Sequence, residues 1–276
     1  MDSQSLLTNV IEQSSNRRRF MQKLGAATAV LGAASVVQAQ DTTITDIDIL
    51  QFALNLEYLE AEFYTIATTG RSIDTFGVGI TGEGTAGATT GGSRVIFNNF
   101  PDPVSNIMEE VAFDERAHVT VLRTALTAAG VMPVAKPAIN LSGLGFGFGG
   151  QVDFIILARI LEDIGVTAYI GAAPLITSKA YLGVAAQILA VEGFHAGNLR
   201  LLIAQNRYNT TKLDGVDVPP PPSGARFFAT DDNALAYART PAQVLFLTYG
   251  LKENATGGGF FPAGVNGKLK MSGKSA

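Results

Sequence analysis

Two residue pairs, one in each half of the chain, have the types and spacing needed to bind a metal. Glu115 precedes His118 by three residues and Glu192 precedes His195 by three, and these are the only histidines in the sequence. Residues at i and i+3 share one face of a helix, so each pair offers a carboxylate and an imidazole to the same point. Oxygen and nitrogen donors without sulfur suit iron or manganese. Each pair therefore predicts half of a transition-metal site.

A second repeated spacing adds one more carboxylate to each half. Tyrosine follows glutamate by seven residues twice, at Glu57 and Tyr64 and at Glu162 and Tyr169. Seven residues are about two helical turns, so each pair shares a face. One Glu from each of two helices, with Glu-x-x-His from each of two others, is the ligand set of di-iron and dimanganese carboxylate four-helix bundles. Ordinary polar residues on amphipathic helices, or the remnant of a lost site, stay open as alternatives.

The two tyrosines allow more than one role. Tyr64 and Tyr169 are candidate catalytic residues, because they could hydrogen-bond the carboxylates or pass electrons. Packing of two ordinary tyrosines in the core is the alternative.

The composition excludes several other classes of site. The chain has 276 residues, no cysteine and a formal net charge of −4. The absence of cysteine excludes iron–sulfur clusters, thiolate zinc sites and cysteine nucleophiles. The acidic balance offers no basic surface for nucleic acid. A hydrophobic fraction of 47% with only 16% charged residues indicates a well-buried chain.

The first 39 residues have the pattern of an export leader. Residues 16–21 (NRRRFM) resemble the twin-arginine consensus, an apolar run extends from Leu24 to Val37, and small residues at Val37 and Ala39 precede a cut before Gln40. The apolar run is shorter than the roughly 20 residues that span a bilayer, so cleavage is favoured over an anchor. We therefore expect a periplasmic or extracellular protein with no stable membrane span in its mature form.

Hydrophobic periodicity predicts the helices that must position the candidate ligands. Four long helices are expected over about 46–68, 101–129, 152–171 and 178–206, each with one element of the ligand set. The third is apolar nearly all round, so its Glu162 would be costly to bury unless paired or bound to metal.

Other polar residues on the first and fourth helices could compete with these ligands or support them. Glu60 and Glu62 lie near Glu57, but only Glu57 has a counterpart with tyrosine seven residues on. Glu57 is therefore favoured as the ligand, and Glu62 is expected to be solvated. Asn198 and Arg200 are expected on the polar face of the fourth helix.

The connections between the helices are rich in glycine, threonine and proline. Residues 70–100 have no helical period and predict a long loop with a short strand at 94–97, either a surface excursion or a lid over the metal site. Residues 134–150 predict the long crossover that lets the second helical pair return in the required direction.

The chain is expected to divide into three parts: a twin-arginine-type leader over 1–39, a four-helix bundle over 40–215, and a proline spacer with a C-terminal extension packed on the bundle over 216–276. The extension is expected to contain a shorter helical region over 231–251, broken by Pro241. Residues 268–276 are expected to be frayed.

Two stretches resemble segments of a known family. Residues 53–64 (ALNLEYLEAEFY) are similar to the first helix of the desiccation-related ferritin-like proteins of bacteria and plants, and residues 258–267 (GGFFPAGVNG) to their C-terminal segment. The resemblance covers essentially the whole mature chain. It implies an all-α fold, a ferritin-like four-helix bundle with one long crossover, long Gly-rich loops and a C-terminal helical extension. Function does not follow, because this family is assigned mostly by fold.

The resemblance also implies a role for each matching position. The terminal carboxylates would be Glu57 and Glu162, the bridging carboxylates Glu115 and Glu192, and the imidazoles, one per metal, His118 and His195. In bacterial ferritins an aspartate before the Glu-x-x-His glutamate hydrogen-bonds a ligand histidine, and Asp114 fits that role. Val191 stands at the corresponding position before Glu192 and cannot make such a hydrogen bond. This difference predicts weaker binding of the second metal.

Three functions follow as hypotheses. The first is a pair of Fe ions that reacts with O2 or peroxide, as in a ferroxidase or peroxide scavenger. The second is a dimanganese catalase. The third is a non-catalytic structural or desiccation-protective protein whose metal staples the bundle. Low charge and glycine-rich loops allow a homo-oligomer, but the long loop and proline spacer would encumber a closed storage shell.

Overall fold

Four long helices dominate the computed structural model, which describes residues 44–98 and 103–276. The helices are α1 (Asp46–Thr69), α2 (Pro103–Ala128), α3 (Gln151–Ala172) and α4 (Lys179–Asn206), followed by a short α5 (Pro241–Thr248). One-turn 3-10 helices lie at Ile73–Phe76 and Ala173–Leu175. Two short strands, β1 (Thr89–Thr90) and β2 (Ile139–Asn140), pair in parallel. The expected leader over 1–39 and the start of the second helix at 101 lie outside the described residues.

The first helix is buried on nearly all sides. Thr45 and Asp48 form a reciprocal capping box at its start, and Gly70 ends it in the left-handed conformation at φ 73°. From Ile49 to Thr65, every residue except Ala53 is buried. The helix therefore has almost no solvent face, and each polar side chain on it needs a partner inside the protein.

The bundle consists of two helical pairs joined by one long crossover. α1 packs mainly on α2, and α3 mainly on α4. The pairs meet through aromatic side chains, because the ring of Phe63 on α1 stacks on Phe154 of α3 with centroids 4.4 Å apart. Residues 129–150 connect the two pairs. The all-α four-helix bundle with one long crossover is confirmed. Among the described residues, no helix has the length and apolarity required to cross a bilayer.

The two stretches that support the family resemblance bind each other. The backbone N–H of Asn266 donates to Oδ1 of Asn55 at 2.9 Å, and Nδ2 of Asn55 donates to the carbonyl of Asn266 at 3.0 Å. The side chain of Asn266 also donates to the carbonyls of Thr85 and Ala135, both at 2.9 Å. A single buried asparagine thus ties the C-terminal segment to α1, to the loop after α1 and to the crossover.

The loop between α1 and α2 corrects one detail of the sequence prediction. The expected strand at 94–97 is wrong, and the strand of this loop is β1. The backbone N–H of Val95 donates to the carbonyl of Ala67 at 2.8 Å, which ties this segment to α1 instead of to a neighbouring strand. β1 and a bridge between Glu83 and Val134 attach the loop to the crossover. A lid over the candidate metal site stays a prediction.

The helical region expected over 231–251 is wrong in its first half. Only Pro241–Thr248 is helical, with Thr240 and Gln243 forming a capping box. Upstream, Oδ1 of Asp231 accepts from the backbone N–H groups of Asn233 and Leu235, which forms a turn and not a helix.

The prediction of a frayed end over 268–276 is also wrong. The backbone N–H of Ser272 donates to the carbonyl of Ala255, and that of Gly273 donates to the carbonyl of Ala242 at the start of α5, both at 2.8 Å. α5 in turn packs on α3. The last residues are therefore held against the C-terminal extension by backbone hydrogen bonds.

Candidate metal centre

The six predicted ligands meet inside the four-helix bundle, where they form two groups. The first group is Glu57, Glu115, His118 and Glu192, and the second is Glu115, Glu162 and His195. Within each group, one donor atom of every member lies within 4.8 Å of the others. All six residues are at most 7% exposed. The structure therefore brings the predicted ligands together, while their binding of metal stays a prediction.

One glutamate is shared by the two groups. Oε2 of Glu115 lies 3.2 Å from Nδ1 of His118, and Oε1 of Glu115 lies 3.0 Å from Nδ1 of His195. The two imidazole centroids are 6.5 Å apart, so both rings face one common space. Glu115 is thus placed as a bridging ligand would be. Glu192 lies in the first group alone, with Oε1 3.5 Å from Nδ1 of His118, and its bridging role stays a prediction.

Among the described residues, a carboxylate lies on the far side of the ring of His195 but not of His118. Nε2 of His195 lies 3.2 Å from Oδ2 of Asp114, a half-buried residue of α2. An N–H at Nε2 that donates to Asp114 leaves Nδ1 of His195 free to act as a ligand. Asp114 thus precedes one motif but supports the histidine of the other. Val191 supplies no such group, and in the described chain His118 contacts carboxylates only through Nδ1.

The candidate tyrosines lie beside carboxylates of the opposite half. The hydroxyl of Tyr169 on α3 donates to Oε1 of Glu57 on α1. Burial, followed by the charge of Glu57, raises the pKa of Tyr169 well above its ordinary value. Burial, followed by the charge of Glu162, does the same to the pKa of Tyr64, although its hydroxyl has no hydrogen-bond partner in the described residues. Both hydroxyls therefore keep their protons, and their catalytic role stays a prediction.

Protons supply the positive charge of this pocket when no cation is bound. Burial lowers the pKa of His195, but the carboxylates of Glu115 and Glu162, 3.0 and 3.3 Å from its Nδ1, outweigh this effect and raise the pKa to about 12. The pKa of His118 is raised in the same way by Glu115 and Glu57, against burial. Burial raises the pKa of Glu57 to about 7. Both imidazoles are therefore protonated at neutral pH, and metal binding must release protons.

Most of the potential metal-donor atoms of the six predicted ligands make no hydrogen bond within the described part of the protein. Seven buried atoms of the six predicted ligands lack a hydrogen-bond partner among the described residues: Oε2 of Glu57, Oε1 of Glu115, both carboxylate oxygens of Glu162 and of Glu192, and Nδ1 of His195. Buried carboxylates are expensive unless they are paired, and in the described chain the two imidazoles, but no lysine or arginine, lie within ion-pair distance of these. Four glutamates balance the charge of two divalent cations. The residues present therefore fit a pair of transition-metal ions.

One glutamate near the centre was placed wrongly by the sequence prediction. Glu62 was expected to be solvated but is fully buried, with Oε1 2.7 Å from the Ser72 hydroxyl and 3.4 Å from Nζ of Lys136. The physical reason is that α1 has almost no solvent face. A usable signal was present, because no lysine or arginine occurs between Asp46 and Thr69, so the acids of this helix need partners elsewhere.

Arg200 was also misplaced. It was expected on a polar face but is 2% exposed, with Nη1 2.7 Å from Oδ2 of Asp163 and Nε donating to the carbonyl of Phe227 at 2.7 Å. Arg159 on α3 is buried likewise and pairs with Oδ1 of Asp217 at 2.7 Å. These arginines bind α3 and α4 to the C-terminal extension. Asn198 is exposed, as predicted.

Comparison with known proteins agrees with this architecture. The chain is 23% identical over 274 residues to the ferritin-like catalase Nec2 of Nesocodon mauritianus, with 81% of this chain and 84% of that protein covered. It is 22% identical over 279 residues to the desiccation-related protein PCC13-62 of Craterostigma plantagineum, with 84% and 86% covered. The ferritin-like domain profile matches residues 45–205, which include all six predicted ligands. Because this match spans more than half of the chain, the protein belongs to the ferritin-like domain family.

Proposed function

We propose that the protein binds two iron ions through its six predicted ligands and that the loaded centre reacts with O2 or peroxide in protection against stress. The observation that supports this most is the position of Glu115, which offers one oxygen to the side of each imidazole. When bound, the ion pair would supply the electrons for reduction of O2 or peroxide.

The chain's own residues hold the centre in place and keep water out. Asp114 fixes the ring of His195, and Tyr169 holds the carboxylate of Glu57. The buried walls keep the ligands in a medium of low dielectric constant, where carboxylates attract cations strongly. The raised pKa of Tyr64 and of Tyr169 keeps a proton on each hydroxyl beside the reacting space. We assign Tyr169 to the positioning of Glu57, and both tyrosines to keeping a protonated hydroxyl beside the reacting space.

A dimanganese catalase is the second candidate. It is favoured by the similarity to a protein named ferritin-like catalase, which is 23% identical over an alignment that covers 81% of this chain. The same oxygen and nitrogen donors suit Mn(II) as well as Fe(II). A non-catalytic protective protein is the third candidate, and the similarity to a desiccation-related protein supports it.

We further propose that the protein acts in the periplasm or outside the cell. Support comes from the sequence alone, in the twin-arginine-like residues 16–21 and the small residues before Gln40. Replacement of Arg17 and Arg18 by lysine is expected to retain the protein in the cytoplasm, as cell fractionation would show. Unchanged export of this variant would contradict twin-arginine transport.

The experiment that separates the three functions is anaerobic loading with Fe(II) or Mn(II), followed by addition of O2 or H2O2. The iron proposal predicts consumption of the oxidant and a new optical spectrum, without release of O2 from peroxide. Release of O2 by the manganese form would identify a catalase. No consumption by either form would leave the protective role. Glu162→Ala should abolish the activity, whereas Glu110→Gln, which removes an exposed acid of α2, should leave it unchanged.

A further inference from the structure

A fifth buried glutamate lies beside the proposed centre and is not one of its six ligands. Glu60 is 4% exposed and follows Glu57 by three residues on α1, so both side chains share a face. No hydrogen bond or ion pair involving Glu60 is found in the described part of the chain. Burial raises its pKa well above the ordinary value, followed by the negative charges of Glu192 and Glu115. An unpartnered carboxylate at this depth needs a physical explanation.

The carboxylates of Glu192 and Glu60 approach the backbone of α3 closely because a glycine stands opposite Glu60. Glu57 on α1 and Glu162 on α3 are matching ligands, so the counterpart of Glu60 on α3 is Gly165, again three residues on. A Cβ at position 165 would lie 2.4 Å from Oε2 of Glu192 and 3.3 Å from Oε1 of Glu60. Two carboxylate oxygens from different helices therefore converge on the bare face of Gly165.

Glu192 links this space to the proposed metal pair. Its Oε1 faces Nδ1 of His118, while its Oε2 faces Gly165, and neither oxygen has a hydrogen-bond partner in the described residues. The four predicted ligand glutamates already balance two divalent cations, so the carboxyl group of Glu60 is not needed to balance the charge of the inner pair. Two buried carboxylate oxygens that converge in this way are suitable donors for a further cation.

We propose that Oε1 of Glu60 and Oε2 of Glu192 form an accessory site for one additional divalent transition-metal ion over Gly165. The proposal rests on the proposed function, because it takes Glu192 to be a ligand of the inner pair as well. The additional ion binds more weakly than the inner two, since fewer protein donors face it and the inner ions repel it. An ion in this position is separated from the inner pair by a single carboxylate group.

The test is the number of Mn(II) ions bound by the full chain under anaerobic conditions, measured by calorimetric titration and equilibrium dialysis. The wild type is expected to bind two ions tightly and a third with an affinity lower by about one order of magnitude or more. Glu60→Gln keeps the side-chain volume but removes the charge, and should bind two. Gly165→Ala fills the space at the converging oxygens, and should also lose the third ion. The control Glu110→Gln should bind three.

The outcomes separate this inference from the proposed function. Saturation of the wild type at two ions, or three ions in Glu60→Gln, would overturn the accessory site and leave the proposed pair intact. Failure of the wild type to bind even one ion would overturn both. If Gly165→Ala folds poorly, Glu60→Gln alone decides, with circular dichroism to confirm its helical content.

Discussion

Tyr169 on α3 donates a hydrogen bond to Oε1 of Glu57 on α1, and this contact joins the two halves of the bundle at a predicted ligand. The repeated Glu-x6-Tyr spacing therefore does not pair each tyrosine with the glutamate of its own helix. Each tyrosine instead lies beside the carboxylate of the other half, with Tyr64 near Glu162. The two halves differ, because the hydroxyl of Tyr64 makes no hydrogen bond to the described residues.

This difference predicts unequal effects of removing the two hydroxyl groups. Tyr169→Phe frees Glu57 to rotate and should weaken metal binding about tenfold, as for other residues that orient a ligand. Tyr64→Phe should change the affinity much less, because it breaks no hydrogen bond. Competition with a chelator of known affinity measures both. Equal losses of metal affinity in the two variants would contradict the different roles assigned to Tyr169 and Tyr64.

Removal of Asp114 should affect one ion of the pair. Asp114→Ala leaves the far side of His195 without its carboxylate partner. The affinity for the metal ion on that side is expected to fall by about 10- to 100-fold. The ion beside His118 should be retained, because Asp114 does not contact that ring. Stepwise metal release to a chelator would show one fast and one slow phase. If both phases of metal release were faster than in the wild type by the same factor, this role of Asp114 would be contradicted.

The stability of the protein without metal should fall as the pH rises. The pKa of Glu57 in the folded protein is about 7, above its ordinary value of 4.5. A raised folded pKa contributes stability that is fully present below pH 4.5 and is lost as the pH rises through about 7. Glu192 and both histidines also have raised pKa values and act in the same direction, whereas the lowered pKa of Glu115 acts in the opposite one.

Thermal melting of chelator-treated protein between pH 5 and pH 8 measures this effect. The melting temperature should decrease with pH in the wild type and decrease less in Glu57→Gln, which does not titrate. A melting temperature that rises through this range in the wild type would contradict the assigned shift.

The hydrogen bonds of the Asn266 side chain should stabilise the fold without affecting the metal centre. Asn266→Ala removes the hydrogen bonds to the carbonyls of Thr85 and of buried Ala135, and should lower the free energy of unfolding by about 1–3 kcal/mol. Asn198→Ala, at an exposed site, should change it by less than about 0.5 kcal/mol. Urea unfolding measures both values. Loss of bound metal from folded Asn266→Ala would show that this residue also supports the centre.

The sequence predicted the long helices and the convergence of the candidate ligands for a physical reason. Both depend on local periodicity, since three and seven residues are fixed multiples of the helical repeat. The predicted contact of an aspartate with a ligand histidine is also seen, although Asp114 supports His195 and not the histidine of its own motif. Local spacing does not tell which helices face each other. The packing of the helices decides which histidine Asp114 contacts.

The errors concern residues whose partners lie far away in the sequence. Glu62 is buried because Lys136 of the crossover reaches it, and Arg200 is buried because the segment around Val218 and Phe227 folds over α4. Neither partner can be inferred from the pattern of one helix. The same limit applies to the last residues, where the backbone N–H of Ser272 donates to the carbonyl of Ala255. Tertiary contacts thus override local polarity at these positions.

The most direct test of the metal centre is the metal content of the folded chain. Protein loaded anaerobically with Fe(II) or Mn(II), then passed through a desalting column to remove weakly held ions, should retain two ions per chain. Glu162→Ala should retain one, because Glu162 belongs to the second group alone, and Glu115→Ala should retain less than one, because Glu115 belongs to both groups. Less than one ion per chain in the wild type, with either metal, would contradict the account.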